Sequence, residues 1–198
     1  MKNLSKTAKI ILGVVAAVVV LAIIITASII GTKNKLAVMQ ENIVNAEANI
    51  DTYLQRRADL IPNIVASVKS FAEHETEVYD KVLEARQNLI NADTVEEKAD
   101  ADSQLTSALQ GLYVVVEAYP ELKSDATYVA LMDELEGSEN RIATARKDYN
   151  DAVKAYNSAI ITFPNSVVAG MFGYEKAVYF EAAAGAENAP DVGELLGD

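Results

Sequence analysis

The chain opens on an uninterrupted apolar run and continues with a long stretch in which apolar residues recur at helical spacing. Residues 10–31 contain no charged side chain. A helix of that length rises about 33 Å at ~1.5 Å per residue, enough for the ~30 Å hydrocarbon core of a bilayer. Beyond it, Leu36, Met39, Ile43, Ala46, Ile50 and Tyr53 alternate steps of three and four, the seam of a packing helix and not the alternation of a strand. No Gly or Pro separates Lys33 from the apolar run, so the first helix is expected to continue straight out of it.

A second helix is expected to begin near Pro62, because proline suits a first-turn position and disfavours helix at the residue before it. Ile64, Val68, Phe71, Val78, Val82, Leu89 and Ile90 give this helix an apolar face. Asn91, Ala92, Asp93 and Thr94 read as a short connection, with Asp93 or Thr94 as N-cap of a third helix and Glu96 or Glu97 placed to complete a capping box. Leu105, Leu109, Leu112, Val116 and Tyr119 follow, and Pro120 ends the run. Ser124 or Asp125 caps a fourth helix, in which Tyr128, Leu135, Ile142, Tyr149, Tyr156 and Phe163 recur every seven residues. Leu131, Ser138, Ala145, Ala152 and Ala159 form the companion seam, small residues that let a neighbouring helix approach closely. Pro164 stops the helix.

These elements predict an all-α protein, a single N-terminal transmembrane helix followed by an up-down antiparallel four-helix bundle. The expected divisions are a basic tail at 1–9, the span at 10–31, the bundle at 32–163, an apolar aromatic segment at 164–181 and an acidic disordered tail at 182–198. Up-down order returns Phe163 toward the bilayer surface. The segment after it, with Val167, Val168, Met171, Phe172, Tyr174, Val178, Tyr179 and Phe180, either sits at the headgroup boundary or folds back as a lid over the bundle end.

Charge refines the picture. Lys2, Lys6 and Lys9 precede the run and would suit a signal peptide, but the apolar stretch exceeds the usual ~7–15 residues and lacks a clean small-x-small cleavage site, so a retained anchor is expected. Three lysines before the span against Lys33 and Lys35 soon after it favour a cytoplasmic N-terminus and an extracytoplasmic main domain. With those three removed from the 17 basic side chains, the rest of the chain holds 14 against 29 acidic ones, a net charge of −15. Such a field repels phosphate backbones and argues against nucleic-acid binding. The chain has no cysteine, which excludes a disulfide framework, a thiol nucleophile and thiolate metal ligands.

Candidate chemistry is sparse. His74, the one histidine, stands among Glu73, Glu75 and Glu77, and a helix could bring Glu73 and Glu77 toward one hard cation; a solvated charged face is the plainer reading. The paired Glu-x-x-His motifs of di-iron bundles, a nucleophile elbow and a phosphate-cradling glycine loop do not occur. No catalytic residue, cofactor or metal is therefore expected. Arg56, Arg57, Asp59 and Asn63 cluster at the expected first inter-helix turn, where they either fix the turn through charge-assisted hydrogen bonds or form a ligand or partner patch. Arg141, Tyr149, Asn150, Tyr156 and Asn157 read as a structural polar network, since the two Tyr-Asn pairs lie seven residues apart and buried groups of this kind set helix register.

The segments RRADLIPNIVASVKSFAEHE (56–75), EAR (84–86), EAYPELK (117–123), ENRIATARKDYNDAVKAYN (139–157) and FPNSVVAGMFGYEKAVYFEA (163–182) resemble the LemA family. With the N-terminal span, the resemblance extends over nearly the whole chain. It implies a bacterial membrane protein with one N-terminal span and a four-helix-bundle domain, and it carries over no reaction. Some LemA-like proteins are associated with membrane organelle formation or envelope stress, which implies a scaffolding role at the membrane. The juxtamembrane stretch departs from the family pattern, with Asn34-Lys35 and Gln40-Glu41 where an aromatic-Asn pair and an arginine are common. The reading that follows is a membrane-anchored, non-enzymatic scaffold in contact with the bilayer and a protein partner. An accessory or ligand-sensing subunit is the alternative, and a metal-dependent enzyme a third.

Overall fold

A computed structural model describes residues 6–181; the expected acidic tail at 182–198 and the first residues of the basic tail lie outside this range. The described residues are helical, without a strand: α1 (Lys6–Lys69), α2 (Thr76–Asn91), α3 (Val95–Glu117), the single turn α4 (Pro120–Lys123), α5 (Ala126–Ile161) and α6 (Asn165–Phe172). Two compact units divide them. One comprises 6–42 and 154–177, the other 43–153 and 178–181.

The N-terminal part of α1 is apolar on every side and exposed on every side, with Ile10, Leu12, Val15, Val19, Ile23 and Ile30 each more than half exposed. A helix of this composition requires an apolar medium around it. It is long and apolar enough to cross a membrane. Ser28, a polar residue within the run, donates its hydroxyl to Ile24 O at 2.9 Å and so leaves no donor facing outward. Past the run, Leu36, Ile43 and Ile50 of the seam read from the sequence are less than a tenth exposed and Met39, Ala46 and Tyr53 are half-buried; Leu54, outside that seam, is buried in place of Tyr53.

The expected boundary at Pro62 is absent. α1 runs through this proline to Lys69, and the break falls at residues 70–75. Two features offset the penalty of about 3 kcal/mol for an interior proline. Leu60, Ile61, Ile64, Val65 and Val68 are buried around it, each contributing roughly 1.5–3 kcal/mol, while the Pro62 ring itself faces solvent. Pro62 has no N–H to give to Ala58 O, and Arg86 Nε of α2 donates to that carbonyl at 2.8 Å instead.

The other boundaries follow local chemistry. Thr94 caps α3 in a capping box: its hydroxyl accepts from Glu97 N–H, and the Glu97 carboxylate accepts from Thr94 N–H. Asp125 accepts from Tyr128 N–H at 2.8 Å at the start of α5. On α5, Tyr128, Leu135, Ile142, Tyr149 and Tyr156 form the buried heptad seam. Phe163, expected to extend that seam, does not: α5 ends at Ile161 and Phe163 is 79% exposed.

Candidate functional site

Three helices of the larger unit bring charged side chains to one buried point. Arg57 of α1 is 2% exposed; it donates to Asp102 of α3, to Thr106 Oγ1 at 3.0 Å and to Glu139 of α5 at 2.8 Å. Arg146 of α5 binds the other oxygen of Asp102. Thr106 in turn donates to Asp102 O at 2.9 Å. Two arginines and two carboxylates balance formally, as charges removed from water must if desolvation is to be offset. Nε of Arg57 and Nε of Arg146 are buried without a hydrogen-bond partner among the described residues. Tyr113 lies close enough to feel this cluster: burial first, and then the Glu139 charge, raise its hydroxyl pKa, while Arg57 pulls the other way.

A second ion cluster joins α1 to α3. Lys98 contacts Asp51 at 2.7 Å and Glu47 at 3.1 Å. Burial works against its charge, but the hydrogen bonds and charges of the two carboxylates outweigh it and hold its pKa above the usual lysine value.

The most regular arrangement involves the extended chain after α6. In the larger unit, Asn150 pairs with both backbone groups of Phe180: Nδ2 donates to Phe180 O at 2.9 Å and Oδ1 accepts from Phe180 N–H at 2.8 Å. Tyr149 donates its hydroxyl to Val178 O at 3.0 Å. In the smaller unit the same pattern holds Ala177, through Asn157 at 2.8 Å in both directions, and Glu175 O, through the Tyr156 hydroxyl at 2.9 Å. An asparagine amide thus takes the place of a neighbouring strand, satisfying an extended residue's donor and acceptor at once. Burial is the main cause that raises the pKa of both tyrosine hydroxyls, which keeps them protonated as donors. The Phe180 ring, held by Asn150, lies over the Arg146 guanidinium at 4.6 Å from its centroid.

The residues singled out in the sequence therefore separate. Arg57 is internal, whereas Arg56 is half exposed and paired with Glu134. Asp59 is exposed and accepts from Gln55 at 2.8 Å. Asn63, exposed on α1, borders a different depression, shared with Phe71, Asp125 and Leu131. None of the four stands at an inter-helix turn, because α1 continues through them. Of the expected network, Tyr149, Asn150, Tyr156 and Asn157 act as a set of clamps, but Arg141 is exposed and lines a groove of about 390 Å³ with Tyr53, Arg56, Glu134 and Gly137. The α5 arginine that joins the buried network is the half-buried Arg146. Glu73 and His74 lie in the connection 70–75, not on a helix, and Glu77 is paired with Lys81 at 2.7 Å. No group of three or more His, Asp or Glu is placed to hold a metal among the described residues.

Asp102, Arg146 and Arg86 were not expected from the sequence. Two of them had a signal: Asp102 lies three residues before Leu105 and Arg146 four after Ile142, on apolar stripes where a charge needs a partner.

Residues 46–193, which contain both clamps and the ion network, match the LemA family. The chain belongs to the LemA family. It is 29% identical over 199 residues to magnetosome protein MamQ 2 of Paramagnetospirillum magneticum, covering 85% of this chain and 73% of the relative. Protein LemA of Metamycoplasma hominis is 28% identical over 155 residues, 78% of this chain and 71% of that protein. Magnetosome protein MamQ of Magnetospirillum gryphiswaldense is 27% identical over 173 residues, 74% of this chain and 64% of that protein. The LemA residues thus include the Tyr-Asn pairs, the Arg57 network and the proline of α1 with its Arg86 donor.

Proposed function

We propose that this LemA protein is a non-enzymatic, single-pass membrane scaffold whose soluble part is an up-down antiparallel four-helix bundle presented outside the cytoplasm to a protein partner. The observation that carries the reading is where the polar residues of the family segments are spent. Arg57, Arg86, Tyr149, Asn150, Tyr156 and Asn157 all bond to other parts of the chain. Such groups specify a shape and a register instead of facing a substrate. The bundle is supported by pairing order: Glu47 and Arg57 of α1 meet Lys98 and Asp102 of α3 in rising order, whereas Tyr53 and Arg56 meet Ser138 and Glu134 of α5 in falling order. Relatives named as magnetosome proteins agree with work at a membrane.

Recognition is assigned to the groove on α1 and α5 that carries Arg56 and Arg141. Site-specific photo-crosslinking from Asn140, a residue beside Arg141 that lines the adjoining depression, tests this in intact cells. A discrete protein adduct that disappears in R56E/R141E, with helicity and membrane retention unchanged, is the expected result. An adduct pattern indifferent to both arginines would move recognition elsewhere.

A further inference from the structure

The chain after Lys154 carries no charged side chain again until Glu175, a long neutral run in a strongly acidic protein. Its last part folds as α6, and α6 divides its apolar residues between two sides. Val168 and Ala169 are buried, at 6% and 3% exposed. Phe163, in the turn just before the helix, is 79% exposed, and Val167 and Met171, spaced by four and so on one side of α6, are 54% and 63% exposed. Gly170, between them, has open space around it. An apolar stripe ending in a phenylalanine and a methionine is not what a water-facing helix presents.

The same unit places this stripe at a defined level. Lys33, two residues past the uncharged run of α1, lies with its Nζ 4.8 Å from the centroid of the Phe172 ring. Tyr174, just past α6, donates its hydroxyl to Lys33 O at 3.3 Å. Two residues of helix amount to about 3 Å of rise, so α6 is fastened beside the point where α1 leaves the apolar run. Charge distribution agrees. Residues 32–42 and 154–177 hold Lys33, Lys35, Lys154 and Lys176 against Glu41 and Glu175, a net charge of +2, although everything after Gly31 sums to −15. Only two of the 29 acidic side chains fall in this unit, with four of the nine lysines that follow Gly31, a local balance that suits anionic headgroups.

We propose that the exposed apolar side of α6, Val167 and Met171, together with Phe163 in the turn before it, inserts into the headgroup boundary of the bilayer that α1 spans, as a second, monotopic membrane contact. Phe163 and Met171 bury apolar surface at the top of the acyl chains, and the Lys33 ammonium, over the Phe172 ring, stands at the phosphate level. On this proposal the segment after α5 divides its work: α6 takes the lipid, while the extended chain after it is held on α5 by Tyr149, Asn150, Tyr156 and Asn157. The proposal rests on α1 spanning the bilayer.

The test uses the full chain, which has no native cysteine, reconstituted in phosphatidylcholine and phosphatidylglycerol vesicles. An environment-sensitive fluorophore is attached to the single cysteine of M171C and, separately, of V19C. Doxyl lipids then carry the quencher near the headgroup or near the acyl terminus. The expected result is blue-shifted emission from M171C with greater loss of intensity to the shallow quencher, and from V19C greater loss to the deep one. Unquenched, water-like emission at M171C, or blue-shifted emission that no lipid quenches because protein covers the stripe, overturns the proposal. Failure of quenching at V19C sinks the spanning reading itself, and the two failures are distinguished by which probe is silent.

Discussion

Arg86 Nε, on α2, donates to Ala58 O, on α1, at 2.8 Å, and that carbonyl is the one Pro62 leaves without its intrahelical donor. One helix thus repairs the backbone of another. The pairing explains how α1 passes through a proline that should end it.

The repair predicts coupling between the two positions. R86A leaves a half-buried carbonyl unmet and is expected to cost about 1–3 kcal/mol. In a P62A background the backbone N–H returns to Ala58 O and the cost of R86A falls. Thermal unfolding of the four proteins of this double-mutant cycle measures it, and additive effects would count against the repair.

Asp102 holds two arginines. D102L leaves Arg57 buried with Glu139 alone and takes the carboxylate from half-buried Arg146, and the expected loss is about 3 kcal/mol, the lower end of the range for breaking a buried ion pair. R57M/D102L/R146M, which removes charge of both signs and keeps most of the volume, is expected to recover much of that loss. Chemical denaturation of the two variants decides between an ionic role and one of volume alone.

The clamps predict site-specific protection. Lys176, exposed in the chain held by Asn157, is a tryptic site. N157A frees both backbone groups of Ala177, and N157D keeps the acceptor but loses the donor, so cleavage after Lys176 is expected to accelerate most in N157A. Equal rates in wild type and both variants would show that Asn157 does not restrain this segment.

Alkaline pH is expected to weaken the larger unit. The pKa of Lys98 is raised in the folded protein by Asp51 and Glu47 against its burial, so its contribution is complete below the ordinary lysine value of 10.5 and disappears as pH rises through the folded value. Tyr149, raised chiefly by burial, acts in the same direction, since its ionisation also removes the donor to Val178 O. K98M is expected to flatten the fall of melting temperature on the alkaline side. The sign is opposite for Glu97, which the Thr94 and Asp93 N–H groups hold below the usual carboxylate value: its capping contribution is present above 4.5 and is lost as pH falls through the lower folded value.

Orientation is open to direct measurement. A cysteine at exposed Ser124, challenged with a membrane-impermeant thiol reagent, is expected to label in intact cells if the domain lies outside. Protection until lysis would place the acidic domain in the cytoplasm and redirect the partner search there.

Much of this molecule is local in origin and was legible as such. The apolar run, the three-four spacing of Ile43 and Ile50, the heptads of α5 and the Thr94 capping box are decided by neighbours within a turn or two, which a sequence displays. Tertiary structure decided what depends on a distant donor or charge. Pro62 reads as a boundary until Arg86 supplies its missing hydrogen bond, and Arg57 reads as part of a turn cluster or partner patch until Asp102 and Glu139 enclose it. Phe163 follows the heptad but falls past the end of α5. Tyr149, Asn150, Tyr156 and Asn157 announce a register by their spacing, yet their partners are backbone groups of an extended segment, and backbone groups carry no sequence signature. The periodicity of the chain was enough to determine its helices; which buried polar group meets which depended on their approach in space, because a hydrogen bond is set by distance and angle and not by position along the chain.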